Sequence, residues 1–324
     1  MKILYQPDCY SQQRQFQKKR KIYPVLMAME AEYYRQKGHK VDWDVEYHKH
    51  DKVIHKPEGL PFLELPPPDR EFTRWWEYQD NGNFKHLPAT YILSANGCWH
   101  GKCSFCVEKH KKYQVRPVDD VIAELYGIKS MGFREVFDDS ATFPTGEWLW
   151  EFCDKFRMID LKISCNMRFG YLCSSDYIRL KKAGFRMLLY GLESSSQKTL
   201  NMINKGIDIK GVVEELKMAS RYGLEPHIAV MFGYPWETDE DSKNTLKLVH
   251  YLLRKGYAKT AQASFYDTKD RSNENHRKYV KKIYDVVYYP EFWFNKLREL
   301  RSVDDIKYLW KSIKVAICDH RRRE

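Results

Sequence analysis

The 324-residue chain contains no apolar run that approaches the roughly 18–20 residues a membrane-spanning helix requires. After Tyr5 the N-terminal residues turn polar, so they lack the hydrophobic core of a signal peptide. Glycine and proline number only 16 and 13, which excludes collagen-like and low-complexity disordered chains. We therefore expect a globular, cytoplasmic protein that has no membrane partner.

The sequence also lacks the pattern of a disulfide-stapled protein. Eight cysteines in a chain without a signal peptide are typical of reduced thiols or metal ligands. Charge is less balanced: the formal net charge is +11, and residues 255–324 hold 17 basic and 10 acidic side chains. A basic region of this kind can contact phosphate groups, so RNA is a candidate substrate or partner.

Composition divides the first 89 residues into two segments. Residues 1–55 run from an apolar strand through a helix to a strand that alternates apolar and charged residues up to Tyr47, which predicts a small βαβ-like unit. Residues 56–89 contain six prolines and predict an irregular linker.

From residue 90 onward, six strand-like runs alternate with helix-like segments, several of which end at glycine. This alternation predicts a parallel sheet covered by helices. A complete eight-unit barrel takes ~250 residues. The expected fold class is therefore α/β, with a partial (β/α)6 TIM-like barrel over residues 90–266 and a doubly wound sheet as the alternative. Residues 267–324 predict a basic helical extension, with helices over 273–289 and 302–317.

The most informative chemical feature is a run of three cysteines, Cys98, Cys103 and Cys106, spaced C-x4-C-x2-C. It follows the first predicted barrel strand, at the end where parallel α/β barrels place their chemistry. Three thiolates on one loop can ligate three irons of a 4Fe–4S cluster and leave the fourth iron open. Together with His110, the same cysteines match a tetrahedral Cys3His zinc site, which would favour a nucleic-acid-binding protein. Spacing alone leaves both alternatives open.

Five short motifs along residues 88–265 occur in the order in which the radical S-adenosylmethionine (SAM) superfamily carries them. They are the cysteine loop with Phe105 before its last cysteine, Val136–Phe143, Asn166–Arg168, Tyr190–Ser194 and Met231–Thr238. The sequence therefore resembles that family. It departs from the usual pattern in one spacing, because four residues instead of three separate the first two cysteines.

The resemblance implies that Cys98, Cys103 and Cys106 hold a 4Fe–4S cluster and that SAM is cleaved reductively to a 5′-deoxyadenosyl radical. It also implies a set of SAM-binding residues: Phe105, Asp138, Asp139, Ser140, Asn166, Arg168, Glu193, Ser194, Met231 and Gly233. In this set an aspartate would accept from the SAM ammonium, and Arg168 would clamp the carboxylate. Glu193 and Ser194 offer partners for the ribose or the amino group.

Two cysteines, Cys165 and Cys173, flank the Arg168 segment and are weak candidates for a catalytic hydrogen donor. A buried free cysteine is the commoner explanation for such residues.

The N-terminal segments KILYQPD and YPVLMAMEAEYYRQKGHKVDWDV resemble the start of the cobalamin-binding domain in one branch of the family. Only a strand, a helix and a strand match, and a full Rossmann-like domain needs several more units. We therefore expect a truncated domain that binds no cobalamin. The branch implies group transfer to RNA, a peptide or a small metabolite, or hydrogen abstraction from it. A flavodoxin- or ferredoxin-type electron donor would supply the reductant.

Overall fold

The computed structural model describes residues 1–6, 23–44, 50–79, 83–266 and 274–321. Its strands are β1 (Lys2–Tyr5), β2 (Lys40–Trp43), β3 (Lys52–Ile54), β4 (Ala89–Ile92), β5 (Ala95–Asn96), β6 (Gln114–Val115), β7 (Glu135–Asp138), β8 (Lys162–Met167), β9 (Phe185–Glu193), β10 (Glu225–Phe232) and β11 (Thr260–Phe265). Its helices are α1 (Val25–Gln36), α2 (Val118–Ser130), α3 (Glu147–Phe156), α4 (Ser174–Ala183), α5 (Gln197–Met202), α6 (Ile209–Arg221), α7 (Asp239–Arg254), α8 (Arg277–Lys282), α9 (Pro290–Arg298) and α10 (Val303–Arg321). Within the described residues, no helix combines the length and apolar character needed to cross a membrane.

The N-terminal unit is a three-stranded parallel sheet in the order β2–β1–β3, connected through α1. Its first three elements follow the predicted strand, helix and strand. The third strand was not predicted, because three residues are too few to show an alternating pattern. The predicted continuation of the second strand to Tyr47 falls on residues 45–49, which lie outside the described residues.

Six strands form one parallel sheet in the order β4–β7–β8–β9–β10–β11, and this sheet curls into a half barrel. Each strand lies beside the next long strand along the chain, so the connections are consecutive βα units. The predicted partial (β/α)6 barrel is confirmed. The doubly wound alternative is wrong, because such a sheet requires the strand order to reverse at a switch point.

Both faces of the half barrel are covered, which explains why β7 is buried at all four of its positions. Val136 belongs to a large core that the helices cover, whereas its neighbour Phe137 belongs to a second core. That second core contains Tyr5 of β1 and Met29 of α1. The N-terminal unit therefore packs against the sheet face that the helices leave open.

A buried ionic cluster closes the end of the barrel at which the strands begin. Arg186 donates to Glu135 over 2.6 Å and to Glu225 over 2.7 Å, and Lys85 lies 2.8 Å from Glu225. Burial would raise the pKa of Glu225, but Arg186 and Lys85 outweigh it and lower the pKa to about 2. The candidate site lies at the opposite end of the barrel, where the strands finish.

The C-terminal extension is helical but more broken than predicted. The helix expected over 273–289 is the short α8 followed by a 3-10 segment at Ile283–Tyr288, and α9, which Pro290 starts, was not predicted. The final helix, α10, covers the predicted range 302–317. Its Asp304 pairs with Arg134 over 2.6 Å at the closed end of the barrel.

Candidate cofactor site at the carboxyl ends of the strands

The three-cysteine loop emerges just beyond β4 and is closed by a short antiparallel ribbon of β5 and β6. Gly97 has φ +83°, and a Cβ there would lie 2.8 Å from the carbonyl oxygen of Lys112. Only glycine fits this close crossing without backbone movement. The ribbon and Gly97 therefore return the chain on itself and hold all three cysteines in one loop.

Each cysteine of the loop has its own surroundings. The Cys98 sulfur lies 2.8 Å from the Thr142 hydroxyl, and the Cys106 sulfur accepts from the backbone N–H of Glu108 over 3.4 Å. Cys103 is buried, and burial raises the pKa of its thiol against the opposing effect of Lys205 and Arg168.

This geometry separates the two metal interpretations. No three His, Cys, Asp or Glu side chains among the described residues converge as ligands of a single metal ion, so His110 does not complete a zinc site with the cysteines. A 4Fe–4S cluster makes a different demand, because each cysteine binds its own iron atom. Three thiols on one glycine-hinged loop fit that donor set.

The aspartate pair after β7 divides into an inner and an outer member. The Asp138 carboxylate accepts from the backbone N–H of Ser94 and from that of Ser140, both over 3.0 Å, and also from the Ser94 hydroxyl. It is fully buried and fastens the end of β4 to the end of β7. Asp139 is exposed, yet burial of its carboxyl among protein atoms and the charge of Asp138 raise its pKa to about 7. Asp139 is therefore the aspartate of the pair that is available to a ligand.

Ser140 and Asn166 connect the strand ends to the cysteine loop. The Ser140 hydroxyl accepts from the backbone N–H of Ala95 over 2.8 Å. The Asn166 amide donates to the Ser140 carbonyl over 2.9 Å. Their side chains fix the base of the loop.

Arg168 lies just beyond β8 and is only 6% exposed. Its Nη2 is 3.5 Å from Nε2 of His100, a residue of the cysteine loop. Its Nε is buried and has no hydrogen-bond partner among the described residues. A buried guanidinium N–H without an acceptor is costly and points to a missing ligand.

Glu193 ends β9 with φ +64° and lies 2.7 Å from the ammonium of Lys205. A Cβ at Gly191 would come within 2.5 Å of the Glu193 carboxylate, so glycine leaves room for the ion pair. Lys205 was missed in the sequence because it belongs to no motif and lies 12 residues away. Only the folded chain brings it to Glu193.

The segment around Lys205 also supports the cysteine loop. The Ile203 carbonyl accepts from the backbone N–H of Ser104, and the Asn204 carbonyl lies 2.8 Å from Nε2 of His100. These contacts hold the loop against the connection between α5 and α6. No motif in the sequence predicted these two hydrogen bonds, because they join residues about 100 positions apart.

The remaining predicted residues shape the walls of the site. The buried Ser194 hydroxyl accepts from the backbone N–H of Ser196 over 3.1 Å, which forms the turn after β9. Gly233 has φ +88°, and a Cβ there would collide with the Phe265 ring. Phe105 and Met231 are partly buried and pack against the large core.

The two cysteines proposed as hydrogen donors have structural positions. Cys165 is fully buried in the core that the helices cover, and burial raises its pKa well above the ordinary thiol value. Cys173 is exposed and caps α4, where its backbone N–H donates to Asp176 over 2.9 Å. Neither position indicates a hydrogen donor, because one thiol faces the helix layer and the other caps a helix.

Residues 92–249 match the family model described as the Radical SAM superfamily. Among curated proteins, the chain is similar to "Uncharacterized methyltransferase PH0819" of Pyrococcus horikoshii, with 26% identity over 64% of this chain and 46% of that protein. It is also similar to "tRNA-2-methylthio-N(6)-dimethylallyladenosine synthase" of Legionella pneumophila, with 25% identity over 52% of this chain and 43% of that protein. The chain thus spans about half the length of these relatives.

Among solved structures, the chain is similar to the radical SAM methyltransferase TsrM of Kitasatospora setae, described with cobalamin and a 4Fe–4S cluster bound. The TM-score is 0.48 with 19% identity, and the match covers 54% of this chain and 36% of that one. The expectation that this chain binds no cobalamin stays a prediction.

Proposed function

We propose that this chain, whose residues 92–249 match the Radical SAM superfamily model, is an enzyme of that superfamily that binds a 4Fe–4S cluster through Cys98, Cys103 and Cys106 and cleaves SAM reductively. The observation that carries the proposal is the position of the cysteine loop. It lies at the carboxyl ends of the barrel strands, beside a buried arginine that lacks an acceptor.

The residues around the loop have complementary tasks towards SAM. When bound, the reduced cluster supplies the electron that splits SAM into methionine and the 5′-deoxyadenosyl radical. Asp139 accepts from the SAM ammonium, and Arg168 donates to its carboxylate. Glu193, held by Lys205, offers an acceptor to the ribose or the amino group. Asp138, Ser140 and Asn166 act through the backbone that carries these groups.

The alternative of a zinc-dependent nucleic-acid-binding protein has no supporting observation, since His110 and the cysteines do not converge within the described residues. For the enzyme, we propose transfer of a group to its substrate. This proposal draws on the names of the two relatives, a methyltransferase and a methylthio-adenosine synthase acting on tRNA.

We propose RNA as the substrate class because the last 70 residues are basic. A flavodoxin- or ferredoxin-type protein would supply the electron. Reduced thiolate ligands favour a cytoplasmic location. Copurification of cobalamin with the protein would test the expectation that the short N-terminal unit does not bind it.

Anaerobic reconstitution tests the cluster and its ligands. The unsubstituted protein should bind about four irons and four sulfides and produce 5′-deoxyadenosine from SAM and dithionite. Cys103→Ala should lose most of the iron and the product. Cys173→Ser is the matched control and should retain the iron, because Cys173 caps α4 outside the loop. A colourless protein with one zinc, or full iron content in Cys103→Ala, would contradict the proposal.

A further inference from the structure

Trp99 lies in the cysteine loop, one residue after Cys98, and its ring lies next to the Arg168 side chain. The guanidinium carbon of Arg168 lies 5.6 Å from the centre of the indole ring. On its other side the indole meets Tyr171 edge-to-face, with ring centres 4.2 Å apart. Trp99 is therefore wedged between a buried arginine and an exposed tyrosine.

Two N–H donors at this contact lack acceptors. The indole N–H of Trp99 and the Nε–H of Arg168 are both buried, and neither has a hydrogen-bond partner among the described residues. Leaving two buried donors unsatisfied is expensive, and native proteins rarely do so. Both belong to side chains in contact, the guanidinium carbon lying 5.6 Å from the indole centre, so one ligand that accepts from both would satisfy them.

The surrounding charges indicate that this ligand is an anion. Arg168 is a buried cation, and its Nη2 lies 3.5 Å from Nε2 of His100 in the cysteine loop. The nearby carboxylate of Glu193 is already paired with Lys205 over 2.7 Å. The positive charge of Arg168 therefore has no protein carboxylate as a close partner among the described contacts.

We propose that Trp99 and Arg168 together bind the carboxylate of SAM, Trp99 through its indole N–H and Arg168 through Nε. The inference rests on the proposed function, since it assigns the anion to the methionine moiety of SAM. A carboxylate has two oxygens and suits two neighbouring donors. Trp99 directly follows Cys98 along the chain, which places the pair beside the cluster ligands.

Binding of SAM and of decarboxylated SAM, measured by anaerobic equilibrium dialysis, tests this assignment. The two ligands differ only in the carboxylate. Trp99→Phe keeps an aromatic ring but removes the N–H, and should weaken SAM binding about tenfold, as expected for a hydrogen bond to a charged group. It should change the affinity for decarboxylated SAM less than about twofold. Arg168→Lys should also weaken SAM selectively, because an ammonium does not reproduce the Nε donor.

Trp150→Phe is the matched control. Trp150 also donates its indole N–H and lies under an arginine, with the guanidinium carbon of Arg179 5.9 Å from its ring centre, but it belongs to α3. This variant should bind both ligands as the unsubstituted protein does.

The assignment fails if Trp99→Phe weakens both ligands equally or weakens neither. Iron content is measured on every variant. A cluster that forms and cleaves SAM, with unchanged carboxylate selectivity, would refute this inference alone. Absence of a cluster from the unsubstituted protein would instead refute the proposed function.

Discussion

At the scale of single residues, Asp138 and Asp139 are chemically identical neighbours with opposite surroundings. Successive side chains of a strand point to opposite faces, so Asp138 lies on the helix-covered face with Val136, whereas Asp139 lies on the face of Phe137. Both carboxylate oxygens of Asp138 already accept hydrogen bonds, one from Ser94 and one from Ser140. The motif alone did not distinguish them, since the difference depends on what covers each face.

The raised pKa of Asp139 predicts a pH-dependent affinity for SAM. Its pKa is about 7, so the carboxyl group that would accept from the SAM ammonium is fully ionised only well above that pH. The affinity should rise about tenfold per pH unit below pH 7 and level off above it. Asp139→Asn should flatten this profile, which equilibrium dialysis at pH 5.5–8.5 would measure.

Asp119→Asn is the control for this profile. Asp119 is exposed on α2, where it pairs with Lys155, and its substitution should leave the pH dependence unchanged. An unaltered profile in Asp139→Asn would contradict the assignment of Asp139 to the ammonium.

At the scale of elements, the cysteine loop depends on local backbone chemistry more than on the barrel. The ribbon of β5 and β6 brings the loop ends together, and Gly97 allows the chain to cross Lys112 closely. The spacing of the cysteines predicted the loop. The ribbon was not predicted, because two strands of two residues leave no periodic pattern.

Gly97→Ala should therefore disturb the loop and lower the iron content of the reconstituted protein. The new Cβ would lie 2.8 Å from a backbone oxygen at φ +83°, where alanine is strained. Iron and sulfide analysis with absorption spectra would measure the loss.

Gly127→Ala is the matched substitution inside α2, where nothing lies within 4 Å of the added methyl group. It should keep full iron content and stabilise the fold by up to ~1 kcal/mol. Equal iron content in the two variants would refute the role of Gly97.

At the scale of the whole molecule, the two ends of the barrel have different tasks. The end where the strands begin is sealed by Arg186, Glu135 and Glu225 and is joined to α10. The end where they finish carries the cysteines, Arg168 and Glu193. The buried ion pairs thus lie at the end of the barrel away from the candidate site.

Arg186→Met should destabilise the fold without altering the chemistry of the site. It would leave the fully buried Glu135 carboxylate without its cation, a change that costs about 3–5 kcal/mol. Urea unfolding followed by circular dichroism should show this loss, while the folded variant still binds the cluster.

Arg179→Met is the control, because Arg179 is half-exposed on α4, where it pairs with a surface aspartate at 3.0 Å and lies over the Trp150 ring. Its effect on the free energy of unfolding should stay within about 0.5 kcal/mol. A loss below about 1 kcal/mol in Arg186→Met would contradict a structural role for the buried cluster.

The sequence by itself determined the order of the long strands and helices of the barrel, the partial barrel and the three-cysteine loop, because periodicity and motif spacing are local properties of the chain. It also located Arg168 and Glu193 at strand ends. Only the tertiary structure decided that Asp138 is buried while Asp139 is exposed, that Lys205 pairs with Glu193, and that Trp99 lies against Arg168. These contacts join residues far apart along the chain or depend on which face is covered, and packing alone sets both.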